Sequence, residues 1–168
     1  MRQLLCSVLL WALGMTVPRV SAQAERVVLC PTLAGQAPQV VSLALTCMVS
    51  TNKQGFTSIE FGPSQTGTVV VVGADLGSGG GKVRAGIGRL ELGWLPFDHA
   101  HGATVTVLRT WGDPWNARAK ETYVGPEFFV QAGMVRLGLG ALYRVAGADS
   151  RGRLIPSAEI GLGRMWAL

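Results

Sequence analysis

The feature that most constrains this chain is a strict two-residue alternation over its last third. In Met134–Val145 one face carries Val135, Leu137, Leu139, Ala141, Tyr143 and Val145, and the other Arg136, Gly138, Gly140, Leu142 and Arg144. In Leu154–Trp166, Ala158, Ile160 and Leu162 oppose Ser157, Glu159, Gly161 and Gly163. In the segment before these, Phe128, Val130 and Ala132 oppose Glu127, Gln131 and Gly133. Successive side chains of a strand point to opposite faces, so this pattern specifies strands with one bulky apolar face and one small or polar face.

Two structures satisfy such a pattern. A soluble sandwich or barrel turns the apolar face inward. A transmembrane barrel turns it toward lipid and keeps Gly, Ser, Glu, Gln and Arg inside. The glycine-heavy second face favours the membrane case, because a water-facing strand gains nothing from glycines that weaken it, whereas a narrow barrel has little room inside. Glu127, Gln131, Arg136, Arg144 and Glu159 are then the candidate polar residues of the barrel interior, able to pair as a charge network. Trp94, Phe97, Trp111, Trp115, Tyr123, Tyr143 and Trp166 fall at strand ends or beside turns, as interfacial girdles require.

Upstream, further β-rich segments follow one another: Gln39–Met48, Phe56–Phe61, Thr66–Ala74, Lys82–Leu95 and Ala103–Trp111, then Thr122–Gly133 and the two above. Turn-rich stretches such as GPSQTG, GSGGG, DHAHG and GDPWNA separate them. The count is eight, and the expected fold is an all-β, antiparallel up-and-down β-barrel. Phe56–Phe61 is short for a membrane strand. Lys82–Leu95 changes phase, from Val83, Ala85 and Ile87 to Leu90, Leu92 and Trp94, which predicts a bulge near Gly88. Glycine supplies 23 of 168 residues without a three-residue period, which excludes collagen and breaks any long helix.

The first two dozen residues predict export. Arg2 begins a positive n-region, Leu4–Val17 is an apolar run of about 14 residues, and Ala22-Gln23-Ala24 fits a cleavage site. The run is shorter than the roughly 20 residues of a spanning helix. The expected organisation is a signal peptide over 1–24 and a barrel domain over 25–168. Beyond Ala24 there are 13 Lys plus Arg against 10 Asp plus Glu, a scattered surplus of three that does not argue for nucleic acid. Cys6 leaves with the signal. Cys30 and Cys47 remain, and an even pair in an oxidising compartment predicts an N-terminal disulfide.

Nothing in the chain assembles a catalytic or cofactor site. Gly73–Lys82, GADLGSGGGK, fails as a phosphate loop: the first required glycine falls at Leu76 and Val83 replaces the Ser or Thr. Asp98, His99 and His101 supply three candidate metal ligands without a fourth, and an exposed polar loop is the preferred reading. No metal, cofactor or catalytic residue is therefore assigned.

Taken with the signal segment and the strand count, phrases such as YVGPEFFVQAG and IPSAEIGLGRMW make the region from Gln39 to Leu168 resemble the small outer-membrane β-barrels of Gram-negative bacteria. The resemblance is architectural. Such barrels usually end on an aromatic residue, and here Trp166 stands third from last. Lipid A-modifying acylhydrolases among them use a His-x-Ser pair. This chain has Ala103 where His101 would need its serine, so that activity does not carry over. The resemblance implies a non-enzymatic barrel in the outer membrane with a structural, adhesive or protective role, with lipid around it and envelope proteins or surface ligands met through its loops. The competing expectation is a soluble periplasmic or secreted sandwich or lipocalin-like barrel that binds a hydrophobic ligand or a protein.

Overall fold

The computed structural model describes residues 27–51, 57–58, 65–93, 98–147 and 153–168. The signal segment over 1–24 lies outside them. Eight long strands form the wall: β1 Val27–Ala37, β2 Val40–Ser50, β3 Gln65–Gly77, β4 Gly80–Leu92, β5 His99–Thr110, β6 Thr122–Ala132, β7 Val135–Ala146 and β8 Leu154–Gly163. Each pairs antiparallel with the next, and β8 returns to β1 from Thr32↔Gly163 to Ala37↔Ala158. The result is a closed up-and-down β-barrel. Closure leaves no unpaired sheet edge, which removes the backbone polar groups that neither lipid nor a packed core can satisfy.

Two short pairings decorate the wall. Trp166–Ala167 lies against Leu29 and Val28 of β1, and Thr57–Ser58 pairs with Thr66 and Gln65 at the start of β3. Of the expected strand Phe56–Phe61 only Thr57 and Ser58 are among the described residues, and the wall pairs Val40–Ser50 directly with Gln65–Gly77. The place of Phe56–Phe61 in the count belongs to Val27–Ala37. The expected bulge at Gly88 is also absent: β4 keeps unbroken register with both neighbours from Gly80 to Glu91. The one register shift on the β6–β7 seam lies between Thr122 and Tyr123. GADLGSGGGK folds as the end of β3, the two-residue turn Ser78–Gly79 and the start of β4.

Side chains sort strictly by parity. Outward positions hold Leu33, Leu43, Leu45, Val72, Leu76, Ile87, Val105, Phe128, Leu137, Leu139, Ile160 and Leu162, all exposed, with Leu139 at 69% and Ile160 at 64%. The buried residues comprise eighteen polar or charged and sixteen apolar ones, nearly all at inward positions of the strands. This barrel is more polar inside than on its wall, the reverse of a soluble core.

The structure corrects the expected disulfide. Cys30 and Cys47 are both free thiols. In the β1–β2 register Cys30 faces Thr46 and Leu29 faces Cys47. The two cysteines are offset by one residue, so Cys30 points into the lumen and Cys47 out of the wall, and no S–S bond can cross the sheet.

Candidate functional site: the charged lumen and its closed mouth

The lumen is stacked in three layers along the barrel axis. At the end where the described chain starts at Val27 and finishes at Leu168, Val28, Cys30, Met48, Val69, Val71, Leu90, Ala100, Phe129 and Met165 form an apolar plug. At the opposite end, where the 111–121 loop lies, Leu108, Tyr123, Leu142 and Ile155 pack together with Ala117. Between them sits a network of buried charges.

Three cations and three carboxylates make up that middle layer. Arg84 Nη1 donates to Glu159 Oε2 at 2.8 Å and Arg84 Nη2 to Asp75 Oδ1 at 2.9 Å. Lys82 Nζ donates to Gln36 Oε1 at 2.8 Å and to Glu127 Oε1 at 3.3 Å, and lies 3.4 Å from Asp75 and 3.7 Å from Glu159. Arg136 Nε stands 2.8 Å from Glu159 Oε1, Nη1 reaches Thr46 Oγ1 at 3.4 Å, and the guanidinium rests 4.7 Å over the Phe129 ring. Thr106 donates to Glu127 Oε2 at 2.6 Å, and Ser157 donates to the other oxygen of that carboxylate. Burying an isolated ion is costly, and here each one has an opposite charge within 4 Å.

The network needs space, which glycines supply. A Cβ on Gly73 would lie 2.8 Å from Arg84 Nε, and one on Gly138 would lie 3.2 Å from the Glu159 Cβ. Small residues on the inward face thus leave volume for the long charged side chains of their neighbours.

The structure places all five sequence-derived candidates in the lumen, where they do three different things. Glu127, Glu159 and Arg136 belong to the central network. Gln131 sits lower, exchanging hydrogen bonds with Cys30, Nε2 to Sγ at 3.0 Å and Sγ to Oε1 at 3.2 Å. Arg144 lies at the mouth, donating to Glu121 Oε1 at 2.7 Å, while the Tyr123 hydroxyl donates to Glu121 Oε2. Burial alone raises the Glu121 pKa. The Tyr123 and Arg144 hydrogen bonds and the Arg144 charge outweigh it and hold this carboxyl below its ordinary value of 4.5. Sequence reasoning missed Asp75, Lys82, Arg84 and Glu121. The signal for the first three was parity: Val69, Val71, Gly73 and Asp75 share one face of β3, and Lys82, Arg84, Gly86, Gly88 and Leu90 share one face of β4.

The mouth is roofed by the segment between β5 and β6. It crosses from Thr110 to the far wall, where the Trp115 amide donates to the Pro38 carbonyl at 2.8 Å, and the Trp111 amide donates to Gly79 at 3.1 Å. Gly79 is glycine for a steric reason: a Cβ there would sit 2.9 Å from Pro114 Cα and 2.9 Å from the Pro38 carbonyl oxygen. Thr110 Oγ1 donates to the Arg118 carbonyl at 2.6 Å and closes the strap at its return.

The expected exposed loop at Asp98–His101 is largely strand. His99 and His101 point outward from β5, with His99 Nε2 3.2 Å from Glu91, and the Asp98 carboxylate accepts the Gly93 amide at 2.7 Å. Among the described residues no cluster of three or more His, Cys, Asp or Glu is arranged to hold a metal ion. No family model, curated protein or solved structure matches this chain.

Proposed function

We propose that this protein is a non-enzymatic outer-membrane β-barrel that acts through its exposed loops in a structural, adhesive or protective role. The observation that carries the reading is the inverted polarity. Among the described residues, 27 large apolar side chains are exposed, and nearly all of them lie on the outer wall. Moving one such side chain fully from water to an apolar medium is worth about 1.5–3 kcal/mol. At roughly half exposure the belt represents about 25 kcal/mol, more than the net stability of about 5–15 kcal/mol of a typical domain. A contiguous apolar surface of that scale calls for an apolar solvent.

The belt also has the right height. On the outer face of β5, charged or titratable residues bracket the apolar stretch at His101 and Arg109, eight residues apart. At about 3.4 Å per residue and a tilt near 40°, that is about 21 Å, close to the roughly 25 Å of outer-membrane barrels. The strands run 10 to 13 residues, enough to span. A lipocalin-like role would need an apolar lumen, whereas the middle of this one is filled by ion pairs. The same filling opposes a wide pore.

The test is refolding from urea by dilution into phosphatidylcholine vesicles and, separately, into buffer. The membrane reading expects a vesicle-bound form that migrates faster on an unboiled gel and shifts on boiling, with aggregation in buffer alone. A stable monomer in detergent-free buffer would sink it.

A further inference from the structure

Among the described residues, the net charge of the barrel lies at one end. The lumen holds four cations, counting Arg144, balanced by four carboxylates, counting Glu121. At the opposite end, among the described residues, Arg89 and Arg164 are offset by Glu91 and Asp98. At the loop end, the described residues include exposed Arg109, Arg118, Lys120 and Arg153 and one exposed carboxylate, Asp113. The described part of the chain thus carries its surplus of three positive charges entirely on the roofed end.

The same end opens onto a depression in the outer wall of about 500 Å³. Its cause is local sequence. Across the β7–β8–β1 seam, Leu139 pairs with Ala158 and Ala158 with Ala37, while Leu137 pairs with Ile160 and Ile160 with Gly35. Small residues at 35, 37 and 158 therefore sink a trough between Leu139 and Ile160, and Val40 and Trp115 border it at the loop end. Trp115 is held there by its backbone bond to Pro38, yet its side chain is 68% exposed. Indole rings placed this way favour the level of lipid headgroups.

We propose that this trough is a binding site for a phosphate-bearing membrane lipid. An acyl chain lies along Gly35, Ala158 and Ile160 beneath Trp115, and the anionic headgroup meets the basic loop end. The inference rests on the membrane reading above. Charge complementarity selects the occupant: a neutral lipid fills the apolar trough equally well but gains nothing from the surplus charge, whereas each Lys or Arg beside an anionic surface is worth about a fivefold change in partition.

The experiment uses the refolded barrel in phosphatidylcholine vesicles containing phosphatidylglycerol. The acyl chains of one lipid at a time are brominated, so that a contacted tryptophan is quenched. The Trp115 signal is obtained as the difference from Trp115→Phe. Brominated phosphatidylglycerol is expected to quench Trp115 at least fivefold more effectively than brominated phosphatidylcholine at equal mole fraction. The triple variant Arg118→Gln, Lys120→Gln, Arg153→Gln should bring the two lipids to parity while keeping the heat-shifted gel form. Equal quenching by both lipids in the unaltered protein overturns the anionic site. Absence of Trp115 quenching in a barrel that still shows the gel shift overturns the trough as a lipid contact, and both results leave the membrane reading standing. Failure to enter vesicles of either lipid overturns both.

Discussion

Glu159 is the carboxylate on which the lumen depends most, and replacing it with glutamine tests the charge network directly. Gln preserves the shape of the side chain above Gly138 and removes only the charge. Arg84 would keep Asp75 at 2.9 Å, and Lys82 would keep Asp75 and Glu127 at 3.4 and 3.3 Å. Arg136 would keep no carboxylate within ion-pair distance, because Glu159 at 2.8 Å is its one such partner among the described residues. Its side chain is fully buried, so water screens the loss poorly. Three cations would then face two anions in the middle layer. Breaking a buried pair from one side costs about 3–5 kcal/mol, and Glu159→Gln should destabilise the barrel by an amount in that range. The assay is urea unfolding in vesicles, followed by tryptophan fluorescence and the unboiled gel. Arg136→Met in the same background removes the stranded cation and should recover about half of the loss or more, since an apolar replacement of both partners is often near neutral. A loss under about 1 kcal/mol for Glu159→Gln, or no recovery in the double variant, would refute the view that these ions depend on one another rather than on water.

Three further outcomes follow from the same geometry. Ile160→Arg, at an outward position near mid-wall, should cost about 2–4 kcal/mol in vesicles; a soluble barrel would register the change as a surface substitution within about 0.5 kcal/mol, and the unfolding midpoint separates the two. Gly86→Ala should abolish the heat-shifted form, because the added Cβ would overlap the Ala103 carbonyl oxygen, whereas Gly35→Ala, with its nearest neighbour 3.8 Å away, should refold normally. Glu121 has a lowered folded-state pKa, so its contribution is present above its ordinary value of 4.5 and is lost as pH falls through the lower folded value. Acidification should therefore loosen the mouth, read as faster hydrogen exchange in residues 111–121, and Glu121→Gln should remove that acid dependence.

The fold class was legible because alternation on β6, β7 and β8 is long and high in contrast. The first wall strand was not. On Val27–Ala37 the outward face carries Pro31 and Gly35 beside its leucines, and the inward face mixes Val28 and Cys30 with Thr32 and Gln36, so neither face stands out by hydropathy. Phe56–Phe61 has β-forming residues on both faces, yet its described residues Thr57 and Ser58 only pair beside the start of β3. The central network was half visible for a related reason. Along one inward face of β4 the side chains change from Lys82 and Arg84, through Gly86 and Gly88, to Leu90, as the lumen changes from charged layer to apolar plug. Read as hydropathy, that looks like a change of face and calls for a bulge. It is a change of depth on a constant face. The disulfide expectation failed on the same kind of detail: a spacing suited to loop closure says nothing of parity, and an offset of one residue in the β1–β2 register separates Cys30 from Cys47 by the thickness of the sheet.

Two coordinates therefore determine what each residue of this barrel does. Parity selects lumen or wall, and depth along the strand selects apolar plug, ion network or mouth. The three layers leave little scope for transport. The plug closes the end where the described chain starts and finishes, the ion pairs cross the middle, and the strap from Trp111 to Lys120 ties the turns at Pro38 and Gly79 over the other end. A molecule passing through would have to part the buried charges of the middle layer, at several kcal/mol for each ion left without a partner. Capacity for recognition is thus left to the outside, and the outside is asymmetric. Its wall is apolar, and among the described residues one end is charge-neutral while the roofed end carries a surplus of positive charge beside an exposed indole and a trough. Among the described residues, the net positive charge that an anionic partner would meet is therefore at that end.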